Sequence, residues 1–517
     1  MKSILFRILK VVAFVAIALI TLVALVIAEE NFRGQRAWTR CQAELAARGE
    51  TLDWTQLATP AGPDEQNFYK TPLLAPLSDM VRSTNGHWEA RDTNAVEHIK
   101  LLFNSLSTVP SLSTPGWRLG EAADLAAAQA ALRTETNTTD PDLRRLLARP
   151  AGAPHDDLLI LLETRSAELA ELHAALQRPN ARFGGHLEEG MNAVLPHLAP
   201  VRSFGRALET RALARLAAGN VDGAADDLVD IFRLARTLES EPLLITTLIE
   251  VAVFGAGIQP LWDGLARHQW QERHLAAFRE ELNHLDFVAA MVRSLRFERA
   301  SSIQTMELWR NQPQQIADAM ASSESLANAV PVRMPGGWVR LSQVQIARMF
   351  QDFLVPVFDT NRGVVDVALG QRLSDEALKA LQGVSPYRTL ARMLFPALGA
   401  AIQRGASAQT TLIQARLAVA LERARLTQGA YPQKLEALVP LQLTTLPGDP
   451  VNGEPLQYRR TAPDRFVLYS IGLNLRDDGG AVAVTKKGVA APREAEGDWV
   501  WQNYPVTNRV TVVPKPK

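Results

Sequence analysis

The side chains best suited to chemistry in this 517-residue sequence are a few histidines and carboxylates on predicted helices. Glu281 and His284 have the E-x-x-H spacing, which places a carboxylate and an imidazole on one helix face, as in the di-iron proteins. A di-iron centre needs two such pairs and two further glutamates, and the sequence contains one pair. An exposed helix face is therefore the simpler interpretation.

Three histidines, His173, His186 and His197, lie close together in the sequence and form a second candidate group. Histidine suits proton transfer and metal binding near neutral pH. Their spacing matches no motif, so solvated or capping histidines are the alternative interpretation.

The sequence motifs of the common enzymes are missing. There is no phosphate-binding loop, no G-x-S-x-G elbow and no H-E-x-x-H motif. The run from Gly255 to Gly257 lacks the third glycine of a dinucleotide fingerprint. Cys41 is the only cysteine, which excludes an intramolecular disulfide and a cysteine-based metal centre. The sequence therefore predicts no particular reaction.

The composition indicates a helical protein. Hydrophobic residues make up 47% of the chain and aromatic residues only 6%, and the abundance of Leu and Ala favours helices. Lys plus Arg and Asp plus Glu each total 55, so no excess of positive charge attracts nucleic acid. We predict a mainly α protein with more than one core, because single cores stop growing well below this length.

The clearest signal lies at the N-terminus. Residues 11–28 are apolar and uncharged, and residues 4–9 extend the segment to about the 20 residues that a bilayer core requires. A cleaved signal peptide is the alternative, although its apolar region usually spans only about 7–15 residues. We expect residues 4–28 to anchor the chain in the cytoplasmic membrane as a single span.

The charges on the two flanks of this segment bear on its orientation. Lysine and arginine are equally frequent on the two sides. The N-terminal amine adds positive charge to the short side, and Glu29 and Glu30 add negative charge to the other. We therefore expect the body of the protein to lie outside the cytoplasm, in the periplasm.

A second apolar segment, residues 243–261, resembles a membrane span in length. Glu250 near its middle would be costly in lipid, and Gly255 and Gly257 weaken it as an isolated helix. We predict a buried helix of the body.

Patterns of proline and hydrophobic residues divide the rest of the chain into three parts. Residues 29–116 form a membrane-proximal helix and proline-rich segments, residues 117–405 a helical body, and residues 406–517 a C-terminal module. In the body, residues 201–218 and 222–238 form the best-defined helical pair.

The C-terminal module combines a helix with short strands. An amphipathic helix over residues 408–427 precedes strands at residues 456–460, 465–470 and 499–502. The helix should pack its Leu412, Leu417 and Leu421 face on the resulting antiparallel sheet. We therefore predict a small α+β module.

Ordered motifs in this module carry a resemblance to a known family. They are Tyr431-Pro432, the LEALV run from Leu435, the LPGDP run from Leu446, and YSIG from Tyr469, followed by DDGG. On these motifs the module resembles the C-terminal domain of the major pseudopilins of type II secretion. In pseudopilins this domain directly follows a methylated N-terminal helix with a prepilin peptidase site. Here the helical body intervenes and no such site is visible, so we do not expect a fibre subunit.

The pseudopilin resemblance implies one ligand, calcium. In those proteins a loop after the Y-S-x-G strand holds the ion through carbonyl and carboxylate oxygens, the donors that calcium prefers. The corresponding residues here are Asp477, Asp478 and Asp498. A solvated turn is the alternative, because Asp-Asp-Gly-Gly is also an ordinary turn sequence.

Further motifs extend a second resemblance over most of the chain. They are ENFRG at residues 30–34, PDEQNF at residues 63–68 and RPNARF at residues 178–183. With them, the whole arrangement is similar to the large membrane-anchored helical proteins of planctomycete-type bacteria. That group implies no function.

Together these features predict a non-catalytic, membrane-anchored protein outside the cytoplasm, with a scaffold or interaction role towards other envelope proteins. One alternative is an enzyme whose site is built from dispersed polar residues of the helical body. Another is an accessory component of a secretion-type envelope assembly. A deep polar pocket would favour the enzyme, and a grooved apolar surface would favour binding.

Overall fold

A computed structural model of the chain describes residues 2–58, 62–84, 88–107, 116–135, 138–187, 193–311, 335–383, 385–485, 488, 490–491, 496–505 and 511–512. Over these residues the chain is mainly helical with small sheets, as predicted. The helices are α1 (Lys2–Ala47), α2 (Ala75–Ser78), α3 (Thr93–Leu101), α4 (Leu125–Thr134), α5 (Pro141–Leu147), α6 (Pro154–Glu163), α7 (Ser166–Ala175), α8 (Leu198–Ala217), α9 (Val221–Arg236), α10 (Leu244–Ala266), α11 (Glu272–Asn283), α12 (Phe287–Asn311), α13 (Gly336–Arg348), α14 (Val367–Ala380) and α15 (Thr389–Gln428). The strands are β1 (Met80–Arg82), β2 (Trp88–Ala90), β3 (Phe358–Asp359), β4 (Val364–Val365), β5 (Gln457–Ala462), β6 (Arg465–Ser470), β7 (Val482–Ala483), β8 (Trp499–Gln502) and β9 (Thr511–Val512).

Helix α1 is one helix of 46 residues that begins in the apolar N-terminal segment and ends in the body. Its large apolar side chains from Phe6 to Ile27 are exposed, and its length and hydropathy are sufficient to cross a membrane. Farther along the same helix, Trp38, Cys41 and Leu45 are buried in a core shared with α13. The apolar segment and the first body helix are therefore continuous.

Helices α1 and α13 approach so closely that their contact requires glycine. A Cβ atom on Gly34 or Gly337 would overlap the backbone of the opposite helix. Asn31 Oδ1 accepts a hydrogen bond from the Gly337 N–H at 2.6 Å, which satisfies a free donor in the first turn of α13. Trp338 Nε1 donates to Glu30 Oε2 at 3.1 Å. The ENFRG motif thus allows the close approach of α1 to α13 and supplies the hydrogen-bond acceptors for that contact.

A buried ion pair fixes the chain just after α1. Glu50 accepts from Arg296 Nη2 at 2.8 Å and from Arg299 Nη2 at 2.7 Å, and Arg299 is fully buried. Burial opposes ionisation of Glu50, but the two guanidinium groups outweigh it and hold the pKa of Glu50 below its ordinary value. Residues 29–50, which follow the apolar segment, are therefore attached to the body at one end by the contact with α13 and at the other by Glu50.

Helix α10, the second apolar segment, belongs to the core of the body. Its length and hydropathy would also suffice for a membrane, but 61% of its apolar window is buried, and it packs on α8 and α9, the predicted helical pair. Glu250 is 2% exposed. Its burial, with a contribution from the nearby Glu239 charge, raises the pKa of Glu250 to about 8. The prediction of a buried helix is confirmed.

Helix α15 connects the body to the C-terminal sheet, whose strand order is β5-β6-β8 with antiparallel pairing. The predicted strands lie within two residues of the observed ones. Leu412, Leu417 and Leu421 are fully buried and share one core with Trp501 of β8, as predicted. The same core includes Phe278 of α11. One helix therefore packs on the sheet and on the body.

The buried Glu250 carboxyl should make stability depend on pH. In the unfolded chain its pKa is about 4.3, whereas in the folded chain it is about 8, so between these values the native state alone keeps the proton. The free energy of unfolding should therefore fall as the pH rises, with Glu250 contributing about 1.4 kcal/mol per pH unit in this window. Glu250→Gln should remove that contribution.

Denaturant unfolding between about pH 5 and pH 8 measures this effect. Glu376→Gln on α14 is the matched control, because that carboxylate is exposed. A pH slope that is the same in Glu250→Gln as in the unaltered protein would contradict the burial of Glu250.

Candidate functional site

A polar cleft of about 560 Å³ opens where the ends of α7, α9 and α11 meet the start of α12. Its volume lies in the range of small-molecule sites. We name it the arginine cleft, after the side chains that dominate its wall. Its charged and ionisable lining residues are Arg178, Arg233, Arg236, Arg293, Glu239, Glu280, Glu281 and His284.

A buried carboxylate orients two of these arginines. Arg233 Nε donates to one oxygen of Glu281 at 2.7 Å, and Arg236 Nη1 donates to the other at 3.0 Å. The Glu281 side chain is only 6% exposed, whereas those of Arg233 and Arg236 are 31% and 37% exposed. The two arginines are three positions apart on α9 and so share one face. Glu281 therefore holds both guanidinium groups in place at the edge of the cleft.

The structure brings the E-x-x-H pair to this cleft in a role other than metal binding. Both oxygens of Glu281 accept hydrogen bonds from arginines, and His284 is an exposed residue of the lining. Within the part of the chain that the structure describes, no group of three or more His, Cys, Asp or Glu side chains is placed to hold a metal.

The PDEQNF and RPNARF motifs form the opposite wall by pairing with each other. Asn67 Nδ2 donates to the Arg182 carbonyl at 2.7 Å, and the Phe68 N–H donates to the Asn180 carbonyl at 2.7 Å. Arg178 Nη1 donates to the Asn67 carbonyl at 2.8 Å. These hydrogen bonds hold Arg178 where it lines the cleft.

A buried ionisable cluster supports this wall from the inside. His197 is fully buried, its Nε2 lies 3.2 Å from Glu241 Oε2, and its ring stacks on Phe183 with centroids 3.8 Å apart. The Tyr69 ring packs against the same imidazole with centroids 5.2 Å apart. Tyr69 and Glu241 each follow a residue that lines the cleft. The cluster thus braces the two paired motifs.

The three histidines of the predicted group have separate partners. His173 Nδ1 lies 2.7 Å from Asp230 Oδ2, and His186 stacks on Trp88 with ring centroids 3.3 Å apart. His197 pairs with Glu241 instead. These contacts give no support to a single histidine site.

The loop after β6 brings together Asp477, Asp478 and Asp498. Asp498 accepts the Asp478 N–H at 3.3 Å and the Gly480 N–H at 2.7 Å. Asp478 Oδ2 accepts the Gly497 N–H at 3.0 Å, and another backbone N–H donates to Asp477 at 2.8 Å. Burial, above all, raises the pKa of Asp498 to about 6. The carboxylates therefore close the loop through backbone hydrogen bonds, and calcium binding here stays a prediction.

No protein-family model matches the chain, and no curated protein or solved structure matches it. The resemblances to pseudopilins and to the planctomycete-type proteins therefore remain predictions. Function has to be inferred from the contacts of this chain itself.

The arginines of the cleft are the residues that sequence inspection missed. Arg233 and Arg236 lie on α9, and their spacing of three beside an apolar stripe is a signal of a charged face. Their shared partner Glu281 lies on a different helix. Nothing in the local pattern of α9 indicates which carboxylate these arginines meet.

Calcium binding by the loop after β6 can be tested on the full chain in detergent. If the loop binds the ion, calcium should raise the melting temperature above that in EDTA, by mass action. Replacing Asp477 and Asp478 together by Asn should remove the rise. A melting temperature that does not respond to calcium would leave the three carboxylates as hydrogen-bond acceptors within the loop, without a bound ion.

Proposed function

We propose that this chain is a non-catalytic, membrane-anchored protein of the cell envelope that holds its helical body at a fixed position outside the cytoplasm, as a scaffold for other envelope proteins. The observation that carries the proposal is the continuity of α1 from the exposed apolar segment into the core of the body.

The reason lies in the stiffness of the connection. A flexible linker would leave an anchored domain free to move over a wide volume. Here residues 29–47 continue α1 for about 28 Å at 1.5 Å per residue, and the helix is locked to α13 at Gly34 and Gly337. Such a connection fixes the height and orientation of the body. A scaffold needs that placement, whereas a tethered catalyst needs only attachment.

An enzyme is the second candidate, and the arginine cleft is what favours it. Glu280, Glu281 and His284 provide carboxylates and an imidazole in a concave polar site. Against catalysis by Glu281, both of its oxygens are occupied by arginines, so it is poorly placed to act as a general base. A role in a secretion-type assembly rests on the pseudopilin resemblance alone.

The proposed topology predicts that the body is accessible from outside the cytoplasmic membrane. Protease added to intact spheroplasts should remove the body and leave a short membrane-protected fragment containing residues 4–28. Protection of the body in intact spheroplasts, with digestion only after lysis, would contradict the topology. A mature N-terminus at Glu29 would show a cleaved signal instead of an anchor.

The scaffold proposal predicts that fixed placement of the body matters for its interactions. Gly337→Leu would insert a side chain into the Glu30 backbone and should separate α13 from α1, while the apolar segment still holds the chain in the membrane. Partners that cross-link to the unaltered protein in membranes should then be lost. Circular dichroism checks that the helical body is retained.

Gly255→Ala on α10 is the matched control, because no atom lies within 4 Å of a Cβ at that position. It should keep every partner. Protease cleavage of α1 beyond Glu29 would show that Gly337→Leu has separated α1 from α13. If this variant then captured the same partners in the same amounts, fixed placement of the body would not be the function of the α1 junction. Absence of any cross-linked partner of the unaltered protein would contradict the scaffold role.

A further inference from the structure

The arginine cleft carries more positive than negative charge among its described lining residues. Four arginines line it together with three glutamates. Glu281 is shared between Arg233 and Arg236, so one carboxylate serves two guanidinium groups. Arg293 Nη1 donates to Glu239 Oε1 at 3.1 Å, and both side chains of that pair are more than two-fifths exposed. The cleft is therefore short of anionic acceptors.

Arg178 adds to this shortage. Its Nη1 donates to the backbone carbonyls of Asp64 and Asn67, and it has no carboxylate partner among the residues that the structure describes. A guanidinium group has five N–H donors in a fixed planar arrangement. The described contacts of Arg178 and Arg236 each involve a single terminal nitrogen, Nη1. Donors of both residues therefore remain for a ligand.

The arginine side chains of the cleft are also held in position before any ligand binds. Glu281 is buried and fixes Arg236 from one side, while backbone carbonyls of the PDEQNF motif fix Arg178 from the other. Phe68 and Ala181 supply an apolar part of the lining. Guanidinium groups held in one orientation lose little entropy when they bind, which favours planar or tetrahedral oxyanions.

We propose that the arginine cleft binds a small organic ligand through an oxyanion, a phosphate or a carboxylate, held by Arg178, Arg236 and Arg293. The volume of about 560 Å³ accommodates a small molecule around that group. This site is independent of the α1 junction, so it can be present or absent whether or not the scaffold proposal holds.

Binding is tested on the full chain in detergent by isothermal titration calorimetry, with inorganic phosphate and with succinate as probes. Sodium chloride at matched ionic strength is the reference. We expect at least one probe to bind where chloride does not. Phosphate alone would identify a phosphate-bearing ligand, succinate alone a carboxylate, and both a general oxyanion site. Heat changes no greater than those with chloride for both probes would overturn the proposal.

Variants of the lining test which residues hold the probe. Arg236→Gln and Arg178→Gln should each raise the dissociation constant about tenfold, the effect of losing one charge-assisted hydrogen bond. Arg267→Gln is the matched control, because Arg267 is an exposed arginine of the same helical body that does not line the cleft. It should leave binding unchanged. Equal dissociation constants for all three variants and the unaltered protein would place the probe elsewhere.

Glu280→Gln keeps the test decisive if an arginine variant fails to fold. Glu280 is an exposed residue of the lining, so its replacement should not disturb the core. Removing its negative charge should tighten anion binding by about threefold, the size of one unit-charge interaction a few ångströms away in water. Weaker binding in Glu280→Gln would contradict an anion site in this cleft.

Discussion

The close approach of α1 and α13 at Gly34 and Gly337 is the constraint on which the arrangement of the molecule depends. Neither position has room for a Cβ atom, so a larger residue at either one would separate the helices. With the helices in contact, Trp38 and Leu45 reach the core that they share with α13, and Glu50 arrives beside Arg299. The apolar segment is thereby coupled to the body through backbone contact as well as side-chain packing.

Helix α15 has the same connecting role at the other end of the chain. Glu422 on this helix is fully buried and accepts from the Tyr431 hydroxyl at 2.5 Å and from Arg425 at 2.7 Å. His268 of the body lies 3.0 Å from the same carboxylate. Burial opposes its ionisation, but these partners outweigh it and hold the pKa of Glu422 below its ordinary value. Tyr431 of the Tyr431-Pro432 motif, whose carbonyl accepts from Arg460 of β5, therefore ties the sheet to a helix that is also part of the body.

Local patterns in the sequence predict most of the helices and strands, but they do not predict the contacts between them. The apolar run, the helical pair at α8 and α9, and the strands β6 and β8 follow from periodicity and turn residues that lie within each element. Glu250 correctly indicated that α10 is buried, because an unpaired carboxylate is costly in lipid. The sequence also predicts a membrane-proximal helix after residue 28, but neither its continuity with the apolar segment nor its packing on α13.

The contacts that define the candidate site join residues far apart in the chain. Asn67 and Arg182 are 115 positions apart, and Arg233 and Glu281 are 48 positions apart. No local period encodes such pairs, so the E-x-x-H spacing could suggest a metal ligand but could not reveal the arginines that occupy Glu281. PDEQNF and RPNARF lie more than 100 residues apart, so nothing in either motif predicts that the two pair to form one wall of the cleft.

Continuity of α1 between the apolar segment and the body is the central claim, and amide hydrogen exchange tests it most directly. The measurement follows peptides covering residues 26–40 in the full chain embedded in lipid nanodiscs. An unbroken helix locked to α13 predicts slow exchange at every position, including the stretch from Glu29 to Gly34, because each amide there is hydrogen-bonded within a packed helix. Fast exchange confined to that stretch would reveal a flexible hinge and contradict the claim.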